Sequence, residues 1–269
     1  MKFENVLLAS DFDGTLKNDD GVITDDVKNA INYFISNGGF FTVCTGRIFQ
    51  GFKISEHDCI NAPVLLGNGA MAYNYKSEKV IFNNAIGDEG LPAVKDVLNT
   101  FPKISIEFYN FHDVCAVNLN KYSEQHFTSQ GIEFRNIEKP EDAPRPWTKV
   151  MIAAHGHSAE VQRILENHPE INFLRTTGDY VEILKKGVDK GSGILALGNA
   201  LGCKNRDIYA AGDGYNDVEM LISASAGFVP ENGSPEALAV ADYVTRSNNN
   251  GCIAHAIEIL DTLYHDNSR

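Results

Sequence analysis

Long apolar runs are missing from this 269-residue chain, and no stretch approaches the roughly 20 apolar residues that a membrane-spanning helix needs. The first apolar run, Val6–Ala9, ends before acids begin and is too short for a signal peptide. Positive charge is also scarce. The 23 Lys and Arg against 36 Asp and Glu give a net charge of −13, which argues against a nucleic acid or an anionic membrane as an electrostatic partner. Cys44, Cys59, Cys115, Cys203 and Cys252 are odd in number, scattered and never spaced as CxxC. That pattern argues against a disulfide framework or a structural zinc site and for a reducing compartment. Internal repeats and low-complexity segments are absent. What remains, at 43% hydrophobic and 22% charged residues, is a folded cytoplasmic protein of one large domain or two ordinary ones.

Against that background, Ser10–Leu16, reading SDFDGTL, stands out directly after the strand-like run Val6–Ala9. Asp11 and Asp13 are separated by one residue and share a loop, so the pair needs a cation or a proton to be tolerated. Gly14 lets the backbone turn and approach a ligand closely. These are the parts of a metal-assisted carboxylate nucleophile. The competing reading is an ordinary Asp-Gly turn after a strand, and the sequence downstream decides between them.

Thr24 begins a helix over Asp25–Asn37 with Val27, Ile31, Phe34 and Ile35 on one face, and Gly38-Gly39 ends it. The strand Phe40–Cys44 follows and leads into Thr45-Gly46-Arg47. Strand, helix and strand with short links form a right-handed parallel crossover, so Asp11 and Thr45 are placed at the carboxyl ends of neighbouring strands. A third strand leads to Asn68-Gly69-Ala70, and a hairpin turns at Lys76–Glu78. From about 84 to 185 the pattern becomes paired strands and helices, including a hairpin across Thr177-Gly178, which reads as an inserted α+β unit. The α/β pattern then resumes. Lys190 opens a helix, where its ammonium and the exposed N–H groups favour an anion, and strand 207–212 ends in Asp213-Gly214-Tyr215-Asn216-Asp217. His155 and His157 alternate at a strand end and read as solvated.

The set DFDGTL, CTGR, VDKGSG and GDGYND resembles the motifs of the haloacid dehalogenase superfamily of phosphatases, in the Cof-type branch whose cap is inserted between the second and third motifs. GNGA at 67–70 and ADYVTRSNNNG at 241–251 are similar to that branch as well. The resemblance spans the chain. It implies a Rossmann-like parallel sheet core with helices on both faces from residues 1–83 and 186–269, with an α+β cap from 84–185. It further implies an Mg2+-dependent phosphatase acting on a small-molecule phosphate ester.

By the same resemblance Asp11 is the nucleophile and Asp13 the general acid and base. Thr45, Gly46 and Asn216 would contact the phosphoryl group, and Lys190 would neutralise its charge. Asp11, the Asp13 backbone carbonyl and Asp213 would hold Mg2+, with Asp217 orienting Lys190 or a metal-bound water. Arg47 and, more weakly, Asn68 are candidates for contacting the substrate beyond its phosphate. His112, Arg145 and Lys149 are cap residues among which the sequence does not choose. An acid at position 13 favours ester hydrolysis, since relatives that attack carbon need no general acid there and the related ion pumps carry threonine. A phosphotransferase or mutase would use the same intermediate, and a non-catalytic homologue is the alternative of a different class. GFVPENGSPEA, from Gly227, departs from the branch's usual apolar-Gly-Asn-Ala stretch.

Overall fold

A computed structural model describes residues 1–52, 59–176 and 179–266. The chain forms two compact units, one of residues 1–46, 54–81 and 189–269, the other of residues 47–53 and 82–188. No helix among the described residues is long and apolar enough to cross a membrane.

In the first unit, β1 (Leu7–Ser10) is buried at every position, as a strand covered on both faces must be. α1 (Asp25–Ser36) buries Val27, Ile31 and Phe34 and ends at Gly38, whose φ of +97° takes the left-handed turn that stops a helix. β2 (Phe40–Val43) then returns parallel to β1. β3 (Val64–Leu66), β4 (Met71–Asn74) and β5 (Lys79–Asn83) form a small separate sheet, which a parallel bridge between Cys44 and Leu65 joins to the end of β2.

The second unit is a six-stranded sheet built from β6 (Ser105–Tyr109), β7 (Val114–Val117), β8 (Arg135–Asn136), β9 (Lys149–Ala153), β10 (Ile171–Arg175) and β11 (Tyr180–Lys185), in the order β10-β11-β9-β6-β7-β8. Its pairs are antiparallel except β7 with β8. α2 (Leu91–Thr100) and α4 (Ser158–Leu165) bury Val94, Val97, Val161 and Leu165 against Ile106, Phe108, Val150 and Ile152 on one face. The alternate residues point to the opposite face. There Ile48, Tyr109, Met151 and Phe127 of α3 (Lys121–Gln130) form a second cluster.

That second face also holds charge. The ammonium of Lys149 lies 3.0 Å from Glu182, both buried, and His126 Nδ1 lies 2.8 Å from Glu107. Lys149 is therefore a buried ion-pair partner within this unit. His155 is half-buried rather than solvated, its ring stacked on Tyr122 at 3.5 Å between centroids, while His157 is exposed. The hairpin turn expected at Thr177-Gly178 lies outside the described residues.

Two differences from the sequence boundaries concern the same unit. It begins at Phe82 and ends at Val188 rather than at 84 and 185, and it includes Arg47–Lys53. The reason is apolar burial: Ile48 sits in the cluster with Tyr109, and the Phe49 ring lies 4.7 Å from that of Phe111. Gln50 Nε2 adds hydrogen bonds of 3.0 Å to the carbonyls of Asn110 and Phe111.

The first unit is completed by α5 (Lys190–Ala200), β12 (Ile208–Ala211), α6 (Val218–Ser223), β13 (Gly227–Pro230), α7 (Pro235–Leu238), β14 (Tyr243–Thr245) and α8 (Cys252–Asp266). Its main sheet is parallel throughout, in the order β14-β13-β12-β1-β2. In this register Ser10 lies between Ala211 and Val43, so the chain leaves β1, β12 and β2 at one edge. That edge is where ligands bind in open parallel sheets.

Candidate active site

Asp11 is the first residue beyond β1, and its N–H still donates to the Ala211 carbonyl at 2.7 Å, which anchors it beside β12. Ser10 Oγ donates to the Asp11 carbonyl at 2.6 Å. Across from it, Lys190 is the first residue of α5, with its ammonium 2.5 Å from Asp11 Oδ1 and 2.5 Å from Asp217 Oδ1. The Lys190 side chain is fully buried, and Asp217 is nearly so.

Local sequence chemistry puts Lys190 there. Asp189 caps α5 by accepting from Ser192 N–H at 2.7 Å, and Ser192 Oγ accepts from Asp189 N–H at 3.0 Å. This reciprocal cap aims the first turn of the helix. The GNGA loop supports it from below. A Cβ on Gly69, whose φ is +88°, would lie 2.3 Å from the Asp189 carbonyl oxygen, and one on Gly193 would lie 2.7 Å from Gly69 Cα. Gly69→Ala therefore combines left-handed strain with a backbone clash, and is expected to cost about 2–4 kcal/mol. Urea denaturation at neutral pH would check it.

Asp213, half-buried after β12, accepts from Thr15 Oγ1 at 2.6 Å. Gly14 packs closely against this contact: a Cβ there would lie 2.6 Å from Asp213 Oδ2. Asp217 Oδ2 accepts from the N–H groups of Gly214 at 2.8 Å and Asp213 at 3.1 Å. Both Asp217 oxygens are thus engaged, one by Lys190 and one by backbone. Thr45 is buried and donates its N–H to the Leu65 carbonyl at 2.9 Å. Asn68, buried at φ +54°, returns an N–H to the Thr45 carbonyl at 2.9 Å, and its Oδ1 accepts from Asn216 Nδ2 at 3.1 Å. Gly46 closes this unit's stretch, and Arg47 opens the second unit. Asp13 is exposed.

Burial pushes the Asp11 carboxyl up to about 8, against the pull of Lys190, with Asp217 and Asp213 adding to the rise. Burial also raises Asp213, opposed by its hydrogen bond from Thr15. For Lys190, burial lowers the pKa but the Asp11 and Asp217 carboxylates raise it more, so the ammonium stays charged. Cys44 is a buried thiol pushed up by burial, in keeping with a core role. All five cysteines are free and buried.

Asp11, Asp213 and Asp217 present carboxylate oxygens within 4.8 Å of one another. Ionised together around the one Lys190 ammonium, they would carry two negative charges in excess, the charge of one divalent cation. A donor set of carboxylate oxygens suits a hard ion such as Mg2+. Thr15 as a partner of Asp213, and Ser10 as a partner of Asp11, are contacts that only the fold reveals. The available signal was their hydroxyls flanking the two acids.

The sequence model of the haloacid dehalogenase-like hydrolases matches residues 8–257. The chain belongs to that family. Among relatives of this hydrolase, YxeH of Bacillus subtilis (strain 168) is 29% identical over 94% of this chain and 97% of its own. YwtE of the same organism, a 5-amino-6-(5-phospho-D-ribitylamino)uracil phosphatase, is 24% identical over 94% of this chain and 97% of its own. In structure, the hydrolase is similar to the subclass IIB sugar phosphatase BT4131, with a TM-score of 0.83 at 22% identity over 95% of this chain and 99% of that one. It is equally similar to the phosphatase BT1666 of Bacteroides thetaiotaomicron, with a TM-score of 0.83 at 21% identity over 96% of each chain. The parallel core and the inserted second unit are thus those of haloacid dehalogenase-like hydrolases.

Proposed function

We propose that this hydrolase is a phosphatase that cleaves small phosphate monoesters, such as sugar phosphates, through an aspartyl-phosphate on Asp11. The observation that carries the reading is the buried Lys190 ammonium held 2.5 Å from both Asp11 and Asp217 at the carboxyl edge of the sheet, with Asp213 beside them. A lone buried carboxylate would be protonated and inert. Here the Lys190 ammonium engages one Asp11 oxygen and pulls the carboxyl toward its ionised, attacking form against the burial that raises it, and a bound divalent cation would add to that pull.

Asp11 attacks phosphorus as the ester P–O bond breaks, and Asp13 gives its proton to the departing alcohol oxygen. Asp13 then takes a proton from the water that attacks the aspartyl-phosphate, releasing inorganic phosphate and restoring Asp11. Thr45, Gly46 and Asn216 hold the phosphoryl oxygens, and Lys190 neutralises charge on the group in transfer. Asp217, engaged on both oxygens, orients Lys190. Asn68 fixes the Asn216 carboxamide, and Arg47 contacts the substrate beyond its phosphate. Asp11, Asp213 and the Asp13 carbonyl would hold Mg2+, which when bound draws negative charge from the phosphoryl oxygens. The names of YwtE and BT4131 support a phosphate ester of small size.

Chelation with EDTA is expected to reduce phosphate release to background, and Mg2+ to restore it. Ca2+ should restore it poorly, because its higher and looser coordination misplaces the nucleophile. Release measured across a panel of phosphate esters tests both the metal requirement and the substrate class. Turnover undiminished by exhaustive chelation would overturn the metal assignment.

A further inference from the structure

The C-terminal run Ser247–Gly251, SNNNG, has no part in the chemistry above, yet it reaches the loop that carries Asp13. Asn248 is buried, and its Nδ2 donates to the Lys17 carbonyl at 3.2 Å and to Asp19 Oδ1 at 2.9 Å. Its N–H donates to Asn232 Oδ1 at 2.9 Å, and Asn232 Nδ2 donates in turn to the Gly14 carbonyl at 3.1 Å. Asn249 completes the grip, giving Nδ2 to Asp19 Oδ2 at 2.8 Å and accepting the Asp19 N–H at 3.0 Å. These contacts hold the Asp19 carboxyl below its usual range, Asn249 first and Asn248 second.

We propose that Asn248 and Asn232 are positioning residues that set where the Asp13 carboxyl stands for proton transfer. The two carboxamides seize the backbone on the far side of Asp13, at Gly14 and at Lys17. Asp13 and Lys17 are themselves bridged, and Lys17 N–H closes the turn on the Phe12 carbonyl at 3.0 Å. Gly14 sits at φ +88°, in a turn between these two bridged residues and outside any helix or longer strand. The backbone beneath an acid sets where its carboxyl can reach, so fixing that backbone at Gly14 and Lys17 narrows the aim of Asp13. Asn248 is itself fixed, because Asn250 and Cys252 N–H groups close on the Ser247 carbonyl at 2.9 and 3.1 Å.

The inference rests on Asp13 being the proton donor, and the test separates the two. Asn248→Ala, Asn232→Ala and Asp13→Asn are compared with the wild type on p-nitrophenyl phosphate, whose leaving group departs without a proton, and on phenyl phosphate, whose leaving group needs one. Loss of a positioned acid is expected to lower kcat/KM, which reports the step in which the leaving group departs, at least about tenfold more on phenyl phosphate than on p-nitrophenyl phosphate. All three variants should share this leaving-group signature. A merely structural role would reduce both substrates alike. Asn232 is exposed, so its truncation keeps the test open should Asn248→Ala fail to fold. If Asp13→Asn shows the signature and the soluble asparagine variants do not, the positioning role is overturned. If Asp13→Asn lacks it, the assignment of Asp13 falls and the positioning role with it.

Discussion

Asp11→Asn is expected to abolish turnover, by at least about 10^4-fold in kcat, while leaving a folded protein. The amide keeps the shape of the carboxylate but is no nucleophile, and the covalent route has no substitute for the missing oxygen. Folding should survive because burial pushes the Asp11 carboxyl up to about 8, so a neutral amide suits its buried position. The Lys190–Asp217 pair at 2.5 Å also remains intact in the variant. Stability is therefore expected to stay within about 2 kcal/mol of wild type. The check has two parts. Phosphate release is measured at saturating ester, and enzyme quenched in acid during turnover is examined for a hydroxylamine-labile acyl phosphate, present in wild type and absent in Asp11→Asn. Wild-type turnover in the variant would sink the aspartyl-phosphate mechanism outright.

How much of this could be read from the residues alone differs between the two levels of structure. The strand Leu7–Ser10, the crossover to Phe40–Val43 and the start of α5 at Lys190 announce themselves locally, because an apolar run, an amphipathic stripe or a capping Asp decides each within a few residues. The acids after β1 and β12 share a sheet edge as a consequence of parallel order, so their grouping was legible once the strands were placed. Other features depend on partners distant in sequence. Ile48 and Phe49 join the second unit because Tyr109 and Phe111 wait for them there, and nothing around position 48 signals that. The short helix Pro235–Leu238, capped by Ser234, falls where GFVPENGSPEA departs from the family's usual stretch. Despite that departure, the Ser234 N–H reaches the Asp213 carbonyl at 2.8 Å, so the loop still braces the site. The link from Asn248 through Asn232 to Gly14 crosses more than two hundred residues, and only the fold reveals it.

Replacing Lys190 by methionine tests the electrostatic balance at the centre of the site. The side chain lies fully buried between Asp11 and Asp217, and methionine fills a similar volume without the charge. Removing one partner from a buried ion pair leaves the other uncompensated, so Lys190→Met is expected to lose about 3–5 kcal/mol in metal-free buffer at neutral pH. The loss should depend on pH in a definite direction. Lys190 now lowers the Asp11 carboxyl while burial, Asp217 and Asp213 raise it, so its removal leaves only influences that raise it. A carboxyl raised in the folded state above its unfolded value supports folding fully below the unfolded value and loses that support as pH rises through the folded one. The deficit of Lys190→Met against wild type should accordingly be small at acidic pH, where Asp11 is protonated, and widen toward alkaline pH. Urea unfolding of both proteins across that range measures it. Turnover should fall at least about a hundredfold, since the phosphoryl group loses its fixed cation. A deficit that shrank as pH rose would mean that Lys190 is not the charge that makes these buried acids tolerable.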